Sequence, residues 1–325
     1  MKPVSVVMSV YNEPLDWLVT SIDSIRAQTF TAFEFIIIND NPGRQELKSL
    51  LNDYGRRDDR IYILKNDENL GLAKSLNKGL KRAQGKYIAR MDADDRSLPQ
   101  RFQWQYDYLE HNPDVFILGC SVQIMDRNGQ LKEKVIKHRN HQDIVNDLLS
   151  RKLAFYHPAI MFRNNAVLYR DKLNGAEDYD LYLNGLSQGR KLGGIQKIGL
   201  HYRMSGQGVS MTQKRKQIIL SHLALKFYHE RRQKGSDTYE QIDFNNEAQL
   251  LNLIGLSLED LEAQSFRDQT VFALGIGDLD AARYAFQSYT QCRGHRTEKL
   301  LLWLFLSCPR LHSWYRKLRY EIFRL

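Results

Sequence analysis

In the stretch "IARMDADDRSLPQRF", Asp92, Asp94 and Asp95 stand within four positions, just after an apolar run that ends at Met91. Acids this close repel one another, and buried without a cation each would titrate abnormally. Asp-x-Asp at a strand end aims adjacent side-chain oxygens at one hard cation, Mg²⁺ or Mn²⁺, of the kind shared with substrate phosphates. A helix N-cap with first-turn carboxylates accounts for one or two of the three acids, not for all. A second group, Glu177, Asp178 and Asp180 in "GAEDYDL", opens a segment with apolar residues at helical spacing. Such acids suit the positive end of a helix dipole, and one of them in the right place is a general base.

The elements that must position these acids are readable from periodicity. "VSVVMSV" (4–10), "FEFIII" (33–38), "IYIL" (61–64) and "YIARM" (87–91) are rich in Val and Ile without polar alternation, as strands covered on both faces are. The segments between them carry apolar residues at helical spacing, and the third ends on Gly85 after Lys81 and Arg82. This alternation predicts a parallel sheet wrapped by helices, with ligands in the crevice beyond the strand carboxyl ends. "YNEP", "NDNPG", "KNDENLG" and "DADD" follow the four strands, so Tyr11, Asp40, Asn69 and the Asp92 cluster should share one rim. Residues 99–112 read as a helix and 115–136 as a hairpin turning at Asn128-Gly129. "IQKIGLHYRM" (195–204) reads as a closing strand. A domain covering 1–210 and a helical region covering 211–325 result.

Composition narrows the function classes. The 325 residues are 42% hydrophobic and 26% charged, enough for a sizeable core. Cys120, Cys292 and Cys308 lack metal-ligand spacing and suit a reducing, cytoplasmic setting. The N-terminus runs directly into a strand pattern, which predicts no signal peptide. The first strand is not followed by a GxGxxG fingerprint and no P-loop is present, which argues against a dehydrogenase or NTPase. The net charge of +9 fits an anionic ligand or membrane. No nucleic-acid-binding motif accompanies it, so nucleic acid is not expected as a partner.

Taken together, "SVVMSVYNEP", "IIINDNPG", "NLGLAKSLNKG", "ARMDADDRSLPQRF" and "GAEDYDLYLN" resemble, in order and spacing, the family 2 glycosyltransferases over about residues 3–210. The resemblance is to inverting enzymes of the GT-A fold, of the type that builds bacterial surface polysaccharides. It implies a Rossmann-like, mostly parallel sheet flanked by helices. It also implies a nucleotide-sugar donor, most often a UDP-sugar, with a divalent cation (Mn²⁺ or Mg²⁺) bridging protein and diphosphate. On that basis Asp94 is the metal ligand and Asp92 contacts the metal or the ribose, while Asp95 either caps the next helix or orients its neighbour. Tyr11 lines the uracil or packs at the strand end. Asp40 accepts the imide N–H or caps its turn, and Glu13 of "YNEP" belongs to the same donor-binding stretch.

Asn69, Gly71 and Lys74 form a loop entering a helix N-terminus, an ordinary anion site, although Lys74 equally suits a solvated face. Arg90 counters the acid cluster. By the same resemblance Asp178 is the base, Glu177 touches a sugar hydroxyl, Gly175 makes the turn that brings acceptor to donor, and His157 lies near the sugar or serves structure. Arg203 of the Tyr-Arg pair is a further substrate contact. The pattern departs from relatives at Ser205, where a metal-directed His is often found. His201 is not assumed to replace it.

Two rivals are weaker. A sugar-phosphate nucleotidyltransferase would carry a glycine-rich loop where "YNEP" stands. A catalytically inactive sugar- or lipid-binding homologue would not need both Asp94 and Asp178. The sequence lacks the Gln-x-x-Arg-Trp signature of processive relatives and any span-length apolar run. Transfer of one sugar to a saccharide acceptor, of the lipid-linked kind, is therefore expected. The tail "PRLHSWYRKLRYEIFRL" places Leu311, Trp314, Tyr315, Leu318, Ile322 and Leu325 on one helical face and Arg310, Arg316, Lys317, Arg319 and Arg324 around it. It reads either as a docked terminal helix or as a basic amphipathic helix lying on an anionic membrane at the cytoplasmic face.

Overall fold

The structure is a computed structural model that describes residues 2–137, 140–165, 168–204, 214–292, 296–308, 311 and 315. It divides into two compact units, Met1–Arg203 and Met204–Leu325.

Unit 1 is built on a nine-stranded mixed sheet in the order β3-β2-β1-β4-β8-β6-β9-β5, with β7 paired to β6. Its first half is parallel. β1 (Val4–Val10) lies between β2 (Phe33–Asn39) and β4 (Tyr87–Arg90), in register Val4↔Phe33 and Val4↔Tyr87. Strands β1, β2 and β4 are buried nearly throughout, as their unbroken Val/Ile runs require. β3 (Ile61–Lys65) differs from the expectation of a fully covered strand. It is the sheet edge, with Tyr62 exposed and Lys65 at its end.

Beyond β4 the described pairings are antiparallel, so the Rossmann-like parallel half continues into a mixed sheet. β8 (Ile160–Arg163) runs against β4 and against β6 (Val115–Asp126), β7 (Leu131–Val135) against β6, and β5 (Arg96–Ser97) against β9 (Lys191–Met204). Antiparallel neighbours can join through short turns, and the predicted Asn128-Gly129 turn is one, with Gly129 at φ 83°. No crossover helix is needed there.

Helices α1 (Leu15–Arg26), α2 (Gln45–Arg57), α3 (Leu72–Arg82), α4 (Arg101–His111), α5 (His141–Leu149) and α6 (Glu177–Ser187) flank the sheet. α3 sits close on β1 and β2 at Gly79. A Cβ there would lie 2.6 Å from Val7 and 2.8 Å from Ile38, so only glycine lets the helix approach this far. Below the strand ends, buried Glu34 is satisfied by Ser5 Oγ (2.6 Å), the Gln84 amide (2.7 Å) and Arg82 (3.3 Å). That pairing removes the cost of an isolated buried charge.

Unit 2 is helical: α7 (Lys214–Lys234), α8 (Glu247–Ile254), α9 (Leu258–Ile276), α10 (Leu279–Gln291) and α11 (Arg296–Ser307). Val271, Leu274, Ala282, Tyr289, Leu302, Phe305 and Leu306 share one core. Most of the amphipathic tail lies outside the described residues. Its two described members pack inward. Tyr315 is buried, donates from its hydroxyl to the Val271 carbonyl (2.6 Å) and meets Phe305 edge-on, while Leu311 rests on the same core. No described helix is long and apolar enough to cross a membrane.

Candidate active site

The acid cluster sits where β4 ends. One carboxylate oxygen from each of Asp92, Asp94 and Asp95 falls within 4.8 Å of the others. Each acid is held differently. Asp92 is ion-paired with Arg90 and anchored through its carbonyl to Ser21 Oγ (2.8 Å). Asp95 is buried and takes the Arg203 amide on Oδ1 (2.7 Å), while its Oδ2 has no hydrogen-bond partner. Asp94 is half-buried, and burial together with Asp92 and Glu13 pushes its carboxyl up to about 7. Burial and the two neighbouring acids raise Asp95 well above its ordinary range. Oxygen-only donors, an orphaned buried carboxylate oxygen and acids that resist ionising together fit a hard divalent cation.

Arg90 is the counter-charge. It is 2% exposed, and burial works against its charge, but Asp92, Tyr169 and Glu177 more than offset this and hold it above its ordinary range. Its carbonyl is fixed by buried Arg101 (2.8 Å), whose guanidinium also reaches the Ile160 carbonyl (3.2 Å). Arg90 links the two acid motifs, since Asp92 and Arg90 both act on Asp178 at the start of α6. Asp178 Oδ1 accepts the Tyr179 amide (2.7 Å). Its carboxyl is raised by burial and drawn partly back by that amide and Arg90. Glu177 is buried, caps the Gly175 amide and is pushed up to about 7 by burial and by Asp178. Gly175 carries φ 113°, a backbone conformation that favours glycine, and so turns the chain into α6.

The residues read from sequence as nucleotide-base contacts lie at the ends of β1, β2 and β3. Tyr11 is exposed, its amide held by Glu13 Oε2 (2.8 Å) and its carbonyl by Asn41 (3.2 Å). Glu13 is half-buried and raised by burial, with Asp92 adding to it. Asp40 is buried and organises the next loop. It accepts from Asn66 (2.7 Å), the Leu70 amide (2.8 Å) and the Gly71 amide (3.0 Å). Asn69 is exposed and also accepts from the Gly71 amide (2.9 Å).

The α3 N-terminus, read from sequence as an anion site, already holds oxygen from the protein itself. The Ala73 amide donates to Asn174 Oδ1 (3.1 Å). Lys74 is exposed and 4.0 Å from Asp171. Sequence reasoning did not single out Asn174, Tyr169 or Trp17. Their partners are far away along the chain, where no local pattern reports them.

Arg203, read from sequence as a substrate contact, is held as a structural clamp. Its guanidinium reaches the carbonyls of Asp94 (2.8 Å), Asp126 (3.1 Å) and Arg127 (3.2 Å) and lies 4.4 Å from the Trp17 ring centroid. His157 is buried against Tyr169, 2.8 Å from its hydroxyl, and burial and Arg90 hold it well below its usual range, hence neutral. His201 pairs across from Arg96 in the β5–β9 ladder. Ser205 lies outside the described residues.

With two acid motifs and a buried arginine placed by the ends of parallel strands, the sequence over residues 5–171 matches the glycosyl transferase family 2 model. The chain belongs to glycosyl transferase family 2. The match takes in β1 to β8 and the acid cluster, and Asp178 follows it by a few residues. Relatives from distant organisms support the assignment. An uncharacterized glycosyltransferase of Methanocaldococcus jannaschii is 34% identical over 226 residues, covering 69% of this chain and 78% of its own. The amylovoran biosynthesis glycosyltransferase AmsE of Erwinia amylovora is 31% identical, covering 65% and 79%. The O-antigen biosynthesis glycosyltransferase WbnJ of Escherichia coli is 36% identical, covering 57% and 72%. The crystal structure of S. aureus TarS 1–349 in complex with UDP-GlcNAc superposes with a TM-score of 0.56 at 16% identity, covering 90% of this chain and 92% of that one. At that identity the likeness shows the fold, and the fold is of the GT-A type. A family 2 transferase is thus established by sequence, and its α/β sheet with a helical C-terminal region by structure.

Proposed function

We propose that the protein is an inverting, metal-dependent glycosyltransferase that moves one hexosyl unit from a UDP-sugar to a lipid-linked saccharide during surface-polysaccharide synthesis. The observation that carries the reading is the Asp92–Asp94–Asp95 cluster, whose carboxylate oxygens lie within 4.8 Å of one another beside the Arg90 ion pair. The relatives named for amylovoran and O-antigen biosynthesis support the polysaccharide setting. The TarS complex with UDP-GlcNAc supports the donor class.

Asp94, with Asp92 and the free Oδ2 of Asp95 beside it, would hold Mn²⁺ or Mg²⁺. When bound, the cation neutralises charge building on the leaving diphosphate. Arg90 orients Asp92 through their ion pair. Tyr11 offers a ring to the base, while Asp40 shapes the loop around it. Asp178 removes the acceptor hydroxyl's proton as that oxygen attacks the anomeric carbon from the face opposite the diphosphate. One Asp178 oxygen is fixed by the Tyr179 amide, so the other is the basic one. Glu177, fixed by the Gly175 amide, orients a sugar hydroxyl. No second carboxylate acid is required, because UDP departs as a weakly basic diphosphate anion.

The purified protein should release UDP slowly from one UDP-sugar of a panel, only with Mn²⁺ or Mg²⁺ present. The anomeric configuration of the transferred sugar, read by NMR, should be inverted. UDP release unaffected by chelation, or a retained configuration, would overturn the proposal.

A further inference from the structure

α11 is apolar on both sides. Leu302, Phe305 and Leu306 bury into the unit 2 core, as a packed helix should. The opposite side carries Leu300 at 57% exposure and Trp303 at 51%, together with exposed Leu301 and Leu304. Positions 300, 303 and 304 share one helical face, so this is a ridge rather than scattered leucines. Contiguous exposed apolar surface of this kind marks an interaction site. Beside it, Trp303 and Phe286 line a shallow groove with Arg283.

The charge around the ridge selects its partner. Arg296 is exposed, and Lys299 donates to the Thr290 and Cys292 carbonyls at the first turn of α11. Glu298 is turned inward, bonded to Arg267 (2.7 Å) and Tyr289 (3.0 Å). Along the sequence, Arg293 to Arg324 carries eight Lys/Arg against Glu298 and Glu321, and of these Arg296 and Lys299 are on α11 among the described residues. Tryptophan and leucine on a ridge set in a basic segment match the interface of an anionic bilayer, where apolar side chains enter the headgroup boundary and cations meet phosphates.

We propose that the Leu300–Trp303–Leu304 ridge of α11 is a peripheral docking surface for an anionic lipid bilayer. The membrane contact read from sequence in the terminal segment is thereby assigned to α11, since the described members of that segment, Leu311 and Tyr315, face the protein core. The surface rests on the proposed lipid-linked acceptor for its purpose but not for its chemistry, so the two are tested apart.

The experiment uses the full chain with Leu300→Ser, Trp303→Ser and Leu304→Ser together. These are exposed positions, so circular dichroism and the thermal midpoint should stay at wild-type values. The wild-type chain should sediment with vesicles containing phosphatidylserine, weaken with added salt, and bind phosphatidylcholine vesicles about tenfold less well. The triple variant should lose about tenfold in binding to the anionic vesicles, while UDP-sugar hydrolysis in solution is unchanged. Brominated lipid should quench wild-type fluorescence more than that of Trp303→Phe. Equal vesicle binding by variant and wild type would overturn the proposal. So would a wild-type dimer that the triple variant converts to monomer without any vesicle binding. Loss of hydrolysis by the wild-type chain would count against the proposed reaction and leave the docking result readable.

Discussion

The two units end their helices by different means. In unit 2 the signals are local. Asn246, Ser257 and Asp278 each accept a backbone N–H three residues ahead, and α8 and α9 stop on Gly255 and Gly277 in the left-handed conformation. In unit 1, α1 to α4 and α6 lack a cap from their own N-cap side chain. Distant residues do the work instead. Asn174 caps α3 from 101 residues away, and Gln28 Oε1 takes the Phe102 amide at α4 from 74. Helix starts in unit 1 cluster at strand carboxyl ends, where the ligand crevice must form. Tying those ends to remote side chains fixes the loops relative to one another. Unit 2 helices need only to stop. A cap in unit 1 should therefore carry both stability and function, and a cap in unit 2 stability alone.

The sharpest break of that contrast is at the base. Asp178→Asn keeps shape and the amide contact of α6 but removes the proton acceptor. Transfer should fall by about 10²–10⁴, with UDP-sugar affinity little changed, measured by initial rates and calorimetry. Because Asp178 is raised by burial, wild-type activity should be lost as pH falls through that raised value, where the base becomes protonated. A near wild-type rate for Asp178→Asn would move the base elsewhere.

The acid cluster is next. Burial and acidic neighbours put Asp94 at about 7 against an ordinary 3.8. A carboxyl raised in the folded state stabilises the fold below its ordinary range, and that contribution disappears as pH rises through about 7. A bound cation reverses this, since it favours the ionised form. Mn²⁺ should therefore raise the thermal midpoint more at alkaline pH than at mildly acidic pH. Asp94→Ala should abolish both that effect and cation-dependent UDP binding. A cation response independent of pH and unchanged in Asp94→Ala would remove the metal from this site.

How much of this could be seen in the sequence follows from the range of the interactions. β1 to β4 declare themselves because buried parallel strands need continuous apolar runs, and the acid motifs stand out because like charges rarely crowd without a cause. β8 did not, being four residues long, and its antiparallel pairing with β4 and β6 depends on chain reversal that no residue pattern encodes. Edge position was equally hidden: "IYIL" has a core composition, yet Tyr62 is exposed and stacks under Arg82 at 4.4 Å. Asp40 stands out in its turn, but its three bonds to the 66–71 loop do not, and nothing local to Arg203 reports that it clamps three carbonyls. Chemistry of a residue is local, whereas its assignment to scaffold or substrate is a property of the contacts folding creates.

The smallest effects make the most direct comparison between the units. Asn174→Ala removes the α3 cap, and Ser257→Ala removes that of α9, each costing about 1 kcal/mol of stability. For a domain of unit 1's size, that should lower the thermal midpoint by about 2–4 °C. Kinetics should separate them. Without Asn174 the Ala73 amide is released and the start of α3 loosens beside the Asp40-ordered loop, so the donor KM should rise while the Asp178 step keeps its kcat. Ser257→Ala should leave both constants unchanged, because its hydroxyl bonds only locally, taking the Asp260 amide (3.1 Å) and donating to Asp260 Oδ2 (2.6 Å). If both variants left the donor KM untouched, the remote caps of unit 1 would be scaffold like those of unit 2. If only Asn174→Ala raised it, the long-range cap would be part of how this unit shapes its donor site.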